Sequence, residues 1–316
     1  MRQLGFFSYL RLKIFATLFR VLLRFTGPAR LRRDNLLTQG IQVDRKRIQI
    51  PSRDGNRFID ADVYSPAGRT AKKSPVLVNW HGSGFIFPML GSDSLYSTRI
   101  VRDTGITVID ADYRKGPETS FPGAVEDVED VLQWVAAQPD TFDIARVGVS
   151  GFSAGGNLAL VAASSLREAT KGFAPSFEIP IVIAHYPVTD LSIAPEAKAI
   201  PNSPHSLPPF MQHLFNDSYV PDPSTRSDPR ASPSKAQPHT FPASVVILTC
   251  EHDNLKPEAS ALADALDDGK RKVVNHTFAG VGHGFDKGCK SETNEWEKRE
   301  EAYKMATRAL REAMGL

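Results

Sequence analysis

The sequence predicts an α/β protein built on a doubly wound, mainly parallel sheet. Three observations carry that expectation. Short apolar β-like runs alternate with helical stretches along most of the chain. The central runs are apolar almost throughout, as strands covered on both faces must be. One run passes through a glycine-flanked serine directly into a small-residue helix, residues 146–166. At 316 residues the chain fits one α/β domain with insertions, or two small domains, and can bury a large core unaided.

In order, residues 4–25 are apolar but interrupted by Arg11, Lys13, Arg20 and Arg24. No charge-free stretch is long enough to span a bilayer, which needs about 20 apolar residues. Lys13, Arg20 and Arg24 share one helical face, so the segment reads as an amphipathic helix. It either packs on the body or lies on a membrane surface. A secretory signal is the poorer alternative, since charges break the apolar run and no clear small-residue cleavage site follows. Residues 47–50 and 59–64 look like strands joined by the turn 53–56. Residues 76–80 (VLVNW) and 106–111 are the next strands, and 125–137 has helical periodicity. Residues 146–150 form a strand and 155–166 a helix. Residues 179–186, 245–250 and 273–278 are further strands, and 292–314 reads as a closing helix anchored by Trp296. Residues 190–242 break the rhythm: they are rich in Pro, Ser, His and Asp, with an apolar patch at 208–215. So long a connection suggests a lid or binding loop.

Composition narrows the function classes. The formal charge of +2 offers no nucleic-acid footprint. Two cysteines, Cys250 and Cys289, make no disulfide framework and point to a reducing, cytoplasmic interior. No metal-ligand spacing occurs, so no metal is expected.

Chemistry concentrates at Gly151-Phe152-Ser153-Ala154-Gly155-Gly156, a G-x-S-x-G turn between strand and helix. A sharp turn of this kind lifts the serine hydroxyl off the sheet and needs glycines where side chains would collide. The following helix start offers backbone N–H groups, that of Ala154 first, to a developing oxyanion. A serine hydroxyl needs a base to take its proton. In such folds an acid and then a histidine follow the serine, each on a loop after a strand. Asp190, Glu251 and Asp253 closely follow buried strands. His283, in Gly280-Val281-Gly282-His283-Gly284-Phe285, has room to turn. His276 lies inside a strand and reads as structural; His185, His205, His213, His239 and His252 read as surface or lid histidines. Glu251 and Asp253 both remain candidates for the partner of His283. After VLVNW comes His81-Gly82-Ser83-Gly84-Phe85, a loop of small residues suited to further oxyanion donors.

These segments together resemble the hormone-sensitive-lipase-like family of α/β-hydrolases, over residues 76–285. HGSGF looks like the family's HGGGF, and Asp112-Tyr113-Arg114 with Pro117-Glu118 and Phe121-Pro122-Gly123-Ala124 looks like its DYRLAPE…FPAA. GFSAGGN, the stretch 186–190 (YPVTD), EHDNL and GVGHGF match in order. The resemblance implies a serine carboxylesterase needing no cofactor, with a triad of Ser153, Asp253 and His283 and oxyanion donors at Ser83, Gly84 and Ala154. His81 and Gly82 would support the loop. It also implies a cap built from residues 1–40 and an insertion at about 190–242 on a hydrolase domain of 41–316. Two departures stand out: Phe152 replaces an aspartate beside the nucleophile, and Ser83 replaces a glycine, at a strain cost if its φ is positive. Phe85, Phe152, Phe210 and Phe215 are expected to line an apolar pocket for a small-molecule ester with a short or medium acyl group. Amide, lactone or thioester substrates use the same triad and stay open, as does, less favoured, a non-catalytic binding role.

Overall fold

A computed structural model describes residues 5–68, 73–198 and 207–316. Leu4, His205 and the rest of 199–206 therefore lie outside the described residues. Helix α1 (Phe6–Leu37) precedes β1 (Val43–Pro51), β2 (Phe58–Pro66) and β3 (Ser74–Trp80). Then come α2 (Ser94–Thr104), β4 (Thr107–Ala111), α3 (Gly123–Ala136) and β5 (Phe142–Phe152). Helices α4 (Ala154–Ala163) and α5 (Arg167–Lys171) lead to β6 (Ile181–His185), and α6 (Pro209–Tyr219) lies in the long connection. Strand β7 (Ser244–Cys250), α7 (Lys256–Leu266), β8 (Lys272–Phe278) and α8 (Asn294–Met314) complete the chain.

The eight strands form one sheet in the order β1-β2-β4-β3-β5-β6-β7-β8. Only the pairs β1–β2 and β2–β4 are antiparallel. The remaining pairs are parallel, as buried apolar strands joined by helices require. Strand residues alternate between two cores, as the two-residue period demands. Val76, Val78 and Trp80 join α3, α4 and α7 on one face. Leu77, Val108 and Val246 meet α2 and α8 on the other. Strands β3, β6 and β7 are buried at every position.

The closing helix differs from the expectation in its anchor. Trp296 is only half-buried, with the Arg299 guanidinium 4.2 Å from its ring centroid. Arg299 itself, Tyr303, Ala306 and Leu310 form the buried stripe. Arg299 is tolerated inside because Asp34 of α1 accepts from its Nη1 at 3.0 Å.

Helix α1 packs on the body through Leu12 and Ala16, which share a small core with Ile86 and Leu214. Its Lys13 and Arg20 turn inward: both pair with Glu118 at 2.5 Å, and Arg20 also donates to the carbonyls of Ile86 and Gly116. Burial opposes charge on Glu118, but these hydrogen bonds outweigh it and hold its pKa at about 2. No helix among the described residues is long and apolar enough to cross a membrane.

Candidate active site

Three strand ends bring the chemistry together at the carboxyl edge of the sheet. Strand β5 runs into α4 through Ser153, whose backbone sits at φ 53°, ψ −116°. Such a conformation costs a non-glycine residue about 1–3 kcal/mol and persists only where its surroundings enforce it. Here Ser153 N–H donates to the His185 carbonyl at 2.8 Å, and α4 is buried along its whole length. Glycine is obligatory on both sides: a Cβ at Gly151 would lie 2.1 Å from the Gly155 oxygen, and one at Gly155 1.8 Å from the Trp80 oxygen. The elbow closes this tightly because β3 and α4 touch backbone to backbone.

Beyond β7, Asp253 is almost fully buried. Its Oδ2 lies 2.7 Å from His283 Nδ1, and its Oδ1 accepts from Leu255 N–H at 3.1 Å. His283 Nε2 stands 2.9 Å from Ser153 Oγ. Glu251, the competing acid, does something else: its Oε2 accepts from Gly280 N–H at 2.7 Å, bracing the loop that carries His283. Asp190 accepts from Ser192 and pairs with Lys235, away from the imidazole.

The loop after β3 supplies backbone donors. The N–H groups of Ser83, Gly84 and Ala154 donate to no protein acceptor among the described residues. Positive φ falls on Gly84 (54°) and Phe85 (62°), not on Ser83, so serine is accommodated there without that strain. The Ser83 hydroxyl turns away from the serine, 2.6 Å from Tyr113 Oη, and accepts from Phe85 N–H. His81 is buried, with Nε2 3.0 Å from Asp112 Oδ1 and its ring stacked on Tyr113. Gly82 has φ outside the left-handed region, but a Cβ on it would press the Phe152 carbonyl at 3.1 Å.

Of the four aromatics expected around the pocket, Phe215 and Phe85 both line a cavity with Ser153, and Phe215 lies against Gly84. A Cβ on that glycine would meet its ring at 2.7 Å. Phe85 is buried and stacks on Tyr219 at 3.7 Å. Phe152 contributes to the wall of an apolar cavity of about 240 Å³ that also contains Ser153, His283, Met211 and Leu23 of α1. Phe210 borders a groove between α1 and α6 rather than this Ser153 cavity, and is 64 % exposed.

A buried network beneath the site was not read from the sequence. His185, expected at the surface or in a lid, is enclosed at the end of β6 and stacked on Phe152 at 4.2 Å. Burial pushes its pKa down to about 3, so the ring is neutral near pH 7. The other face of Phe152 carries the Lys287 ammonium at 3.6 Å from the ring centroid. Lys287 pairs with Asp93 and Asp286, each at 2.8 Å. Asp286 also accepts from Tyr186 Oη at 2.5 Å and Tyr303 Oη at 2.9 Å. Burial alone would raise the Asp286 pKa; the ammonium and the hydrogen bonds outweigh it and hold the carboxyl at about 2. Tyr186, at a rare φ of 38°, sets its ring edge-on to His283 with centroids 4.9 Å apart. The available signals were slight: a Tyr-Pro pair after a strand, and an Asp-Lys pair just past the histidine loop.

A serine, histidine and aspartate joined by two hydrogen bonds at the carboxyl edge of such a sheet define the serine-hydrolase class of α/β proteins. The chain belongs to the alpha/beta hydrolase fold family, whose model matches residues 77–287. It is 29% identical over 240 residues to the ethyl acetate hydrolase of Pseudomonas putida, covering 75% of this chain and 74% of that protein. It is 30% identical over 252 residues to the carboxylic ester hydrolase LipN of Mycobacterium tuberculosis, covering 78% and 65%. Among solved structures, a hyperthermophilic esterase from the archaeon Pyrobaculum calidifontis superposes with a TM-score of 0.79 at 28% identity, covering 94% of this chain and 93% of that one.

Proposed function

We propose that this chain, an ester-hydrolysing α/β hydrolase, cleaves small apolar carboxylic esters through an acyl-enzyme on Ser153. The unbroken line from Asp253 through His283 to Ser153, at 2.7 and 2.9 Å, is the observation that carries the reading. His283 Nε2 takes the hydroxyl proton as Ser153 Oγ bonds to the ester carbonyl carbon. The carbonyl oxygen becomes an oxyanion on the N–H groups of Ser83, Gly84 and Ala154, each worth about 3 kcal/mol of barrier. Asp253 holds the histidine tautomer and stabilises the imidazolium. The C–O bond to the alcohol then breaks, and the alcohol leaves with the proton from Nε2. Water, deprotonated by the same nitrogen, adds to the acyl carbon and releases the acid and Ser153.

Residues 1–40 and the insertion at about 190–242 serve as the cap in this reading. Leu23, Met211 and Phe215 over the Ser153 cavity support that role. Asn157 of α4 ties the insertion down, donating at 2.9 Å to the carbonyls of Val188 and Ala231. The apolar walls and modest volume favour short or medium acyl groups, and the relative that acts on ethyl acetate agrees with this. A p-nitrophenyl ester chain-length series tests the reading. Rates should peak at short acyl length and vanish in Ser153→Ala; full activity in that variant refutes it. A second partner, a membrane touching residues 4–25, is favoured by the apolar outward face of α1.

A further inference from the structure

Helix α1 is apolar on both its packed and its outward face. A helix packed on a globular body normally buries its apolar stripe and leaves its cations in water. Here Lys13 and Arg20 are spent on Glu118 beneath the helix. The outward face instead carries Phe7, Leu10, Ile14, Leu18, Val21 and Phe25, all exposed, with Phe7 at 84 % and Phe25 at 76 %. Their spacing of three and four residues puts them on one continuous stripe. Past Arg11, across a groove that Phe15 and Phe19 line on the α1 side, Phe210 of α6 is exposed as well. Soluble monomers seldom leave so large an apolar surface without a use for it.

Charge says what covers this face. Residues 5–33 contain no acidic side chain. Arg11 and Arg24 flank the stripe on opposite sides, exposed and without an acidic partner among the described residues. A second copy of the chain would bring these cations towards one another with no carboxylate between. An anionic lipid surface accepts both features, the rings and aliphatic chains below the headgroups and the guanidiniums among the phosphates.

We propose that the outward face of α1, with Phe210 beside it, docks the protein on an anionic lipid surface and holds the Ser153 cavity against it. The inner face of the same helix reaches that cavity through Leu23, so the docking helix is itself part of the cavity wall. This deepens the ester-hydrolase reading, because the surface supplies apolar substrate to the same site.

The test uses the full chain. Sedimentation is measured with vesicles of phosphatidylcholine alone and of phosphatidylcholine with about a third phosphatidylserine. The intact protein is compared with Phe7→Glu/Leu18→Glu/Phe25→Glu and with Arg11→Gln/Arg24→Gln. Every substituted residue is exposed, and none belongs to the triad, so p-nitrophenyl acetate hydrolysis should stay at the intact level in both variants. Binding to the anionic vesicles should fall at least about tenfold in the first variant. In the second it should fall about fivefold per arginine removed, with a weaker salt dependence. Equal partition of the intact protein onto both vesicle types, or none onto either, overturns the proposal while leaving ester hydrolysis standing. A dimer that the triple variant breaks, without vesicle binding, assigns the face to a second copy and overturns it too. Loss of acetate hydrolysis in the intact chain would instead count against the enzymatic reading.

Discussion

Adding one methyl group at Gly84 separates the oxyanion loop from the triad. Gly84 sits at φ 54°, where an alanine pays about 1–2 kcal/mol that glycine does not. Its new Cβ would lie 2.7–2.8 Å from three ring carbons of Phe215, well inside ordinary contact. Overpacking of this kind costs about 1–3 kcal/mol. The loop can relieve both by rotating, which turns the Gly84 N–H away from the forming oxyanion. Losing that donor raises the barrier by about 3 kcal/mol, so kcat should drop about a hundredfold or more. Steady-state kinetics on a p-nitrophenyl ester read this directly, with KM within a few-fold of the starting value. Phe215→Ala alone should move KM more than kcat, since Phe215 walls the cavity and brings no polar group to the reaction. In the double variant the ring is gone, and most of the lost kcat should return. If Gly84→Ala keeps kcat within about threefold, the loop is not where the oxyanion rests.

Two further outcomes follow from the buried network. Asp286→Asn removes one of the two carboxylates from Lys287 and weakens the grip on Tyr186, so urea denaturation should show a loss of about 3 kcal/mol. The kcat should fall more than KM rises, and an unchanged kcat would remove Tyr186 from the support of His283. His185 gives a pH signature: between pH 6.5 and about 3 the unfolded chain binds a proton that the folded chain refuses. Its contribution to stability is therefore lost as pH falls, by up to about 1.4 kcal/mol per pH unit. Denaturation midpoints at pH 7 and pH 5 should converge in His185→Gln, and identical pH slopes in both proteins would contradict that assignment.

Most of the fold was legible because its signals are local. Apolar runs such as VLVNW and VVILTC have no polar face to spare, so they belong inside a parallel sheet. The Ser153 turn announced itself through glycines that backbone contact requires, and His283 through its place after a strand; position alone left Asp253 level with Glu251, and only the family resemblance separated them. What escaped was long-range. Nothing near His185 in sequence says that Phe152 will stack on it, nor that Lys287 will cover the opposite face of that ring. The same holds for Arg299, whose buried partner Asp34 lies 265 positions away in sequence. For α1 the periodicity was visible but not its direction: of the basic face, Lys13 and Arg20 turn to Glu118 while Arg24 stays exposed. Phe210 shows the same limit, since an aromatic residue in the long connection after β6 does not say which side of its helix meets the cavity.

The central claim is that Ser153 is the atom that takes the acyl group. Treating the protein with a fluorophosphonate, which bonds irreversibly to an activated serine oxygen, and mapping the adduct by peptide mass spectrometry tests it most directly. A single adduct on Ser153 is expected, absent in Ser153→Ala and strongly slowed in His283→Ala, with esterase turnover lost in step. Labelling at another residue that tracks the loss of activity, or turnover that persists with Ser153 blocked, would contradict it.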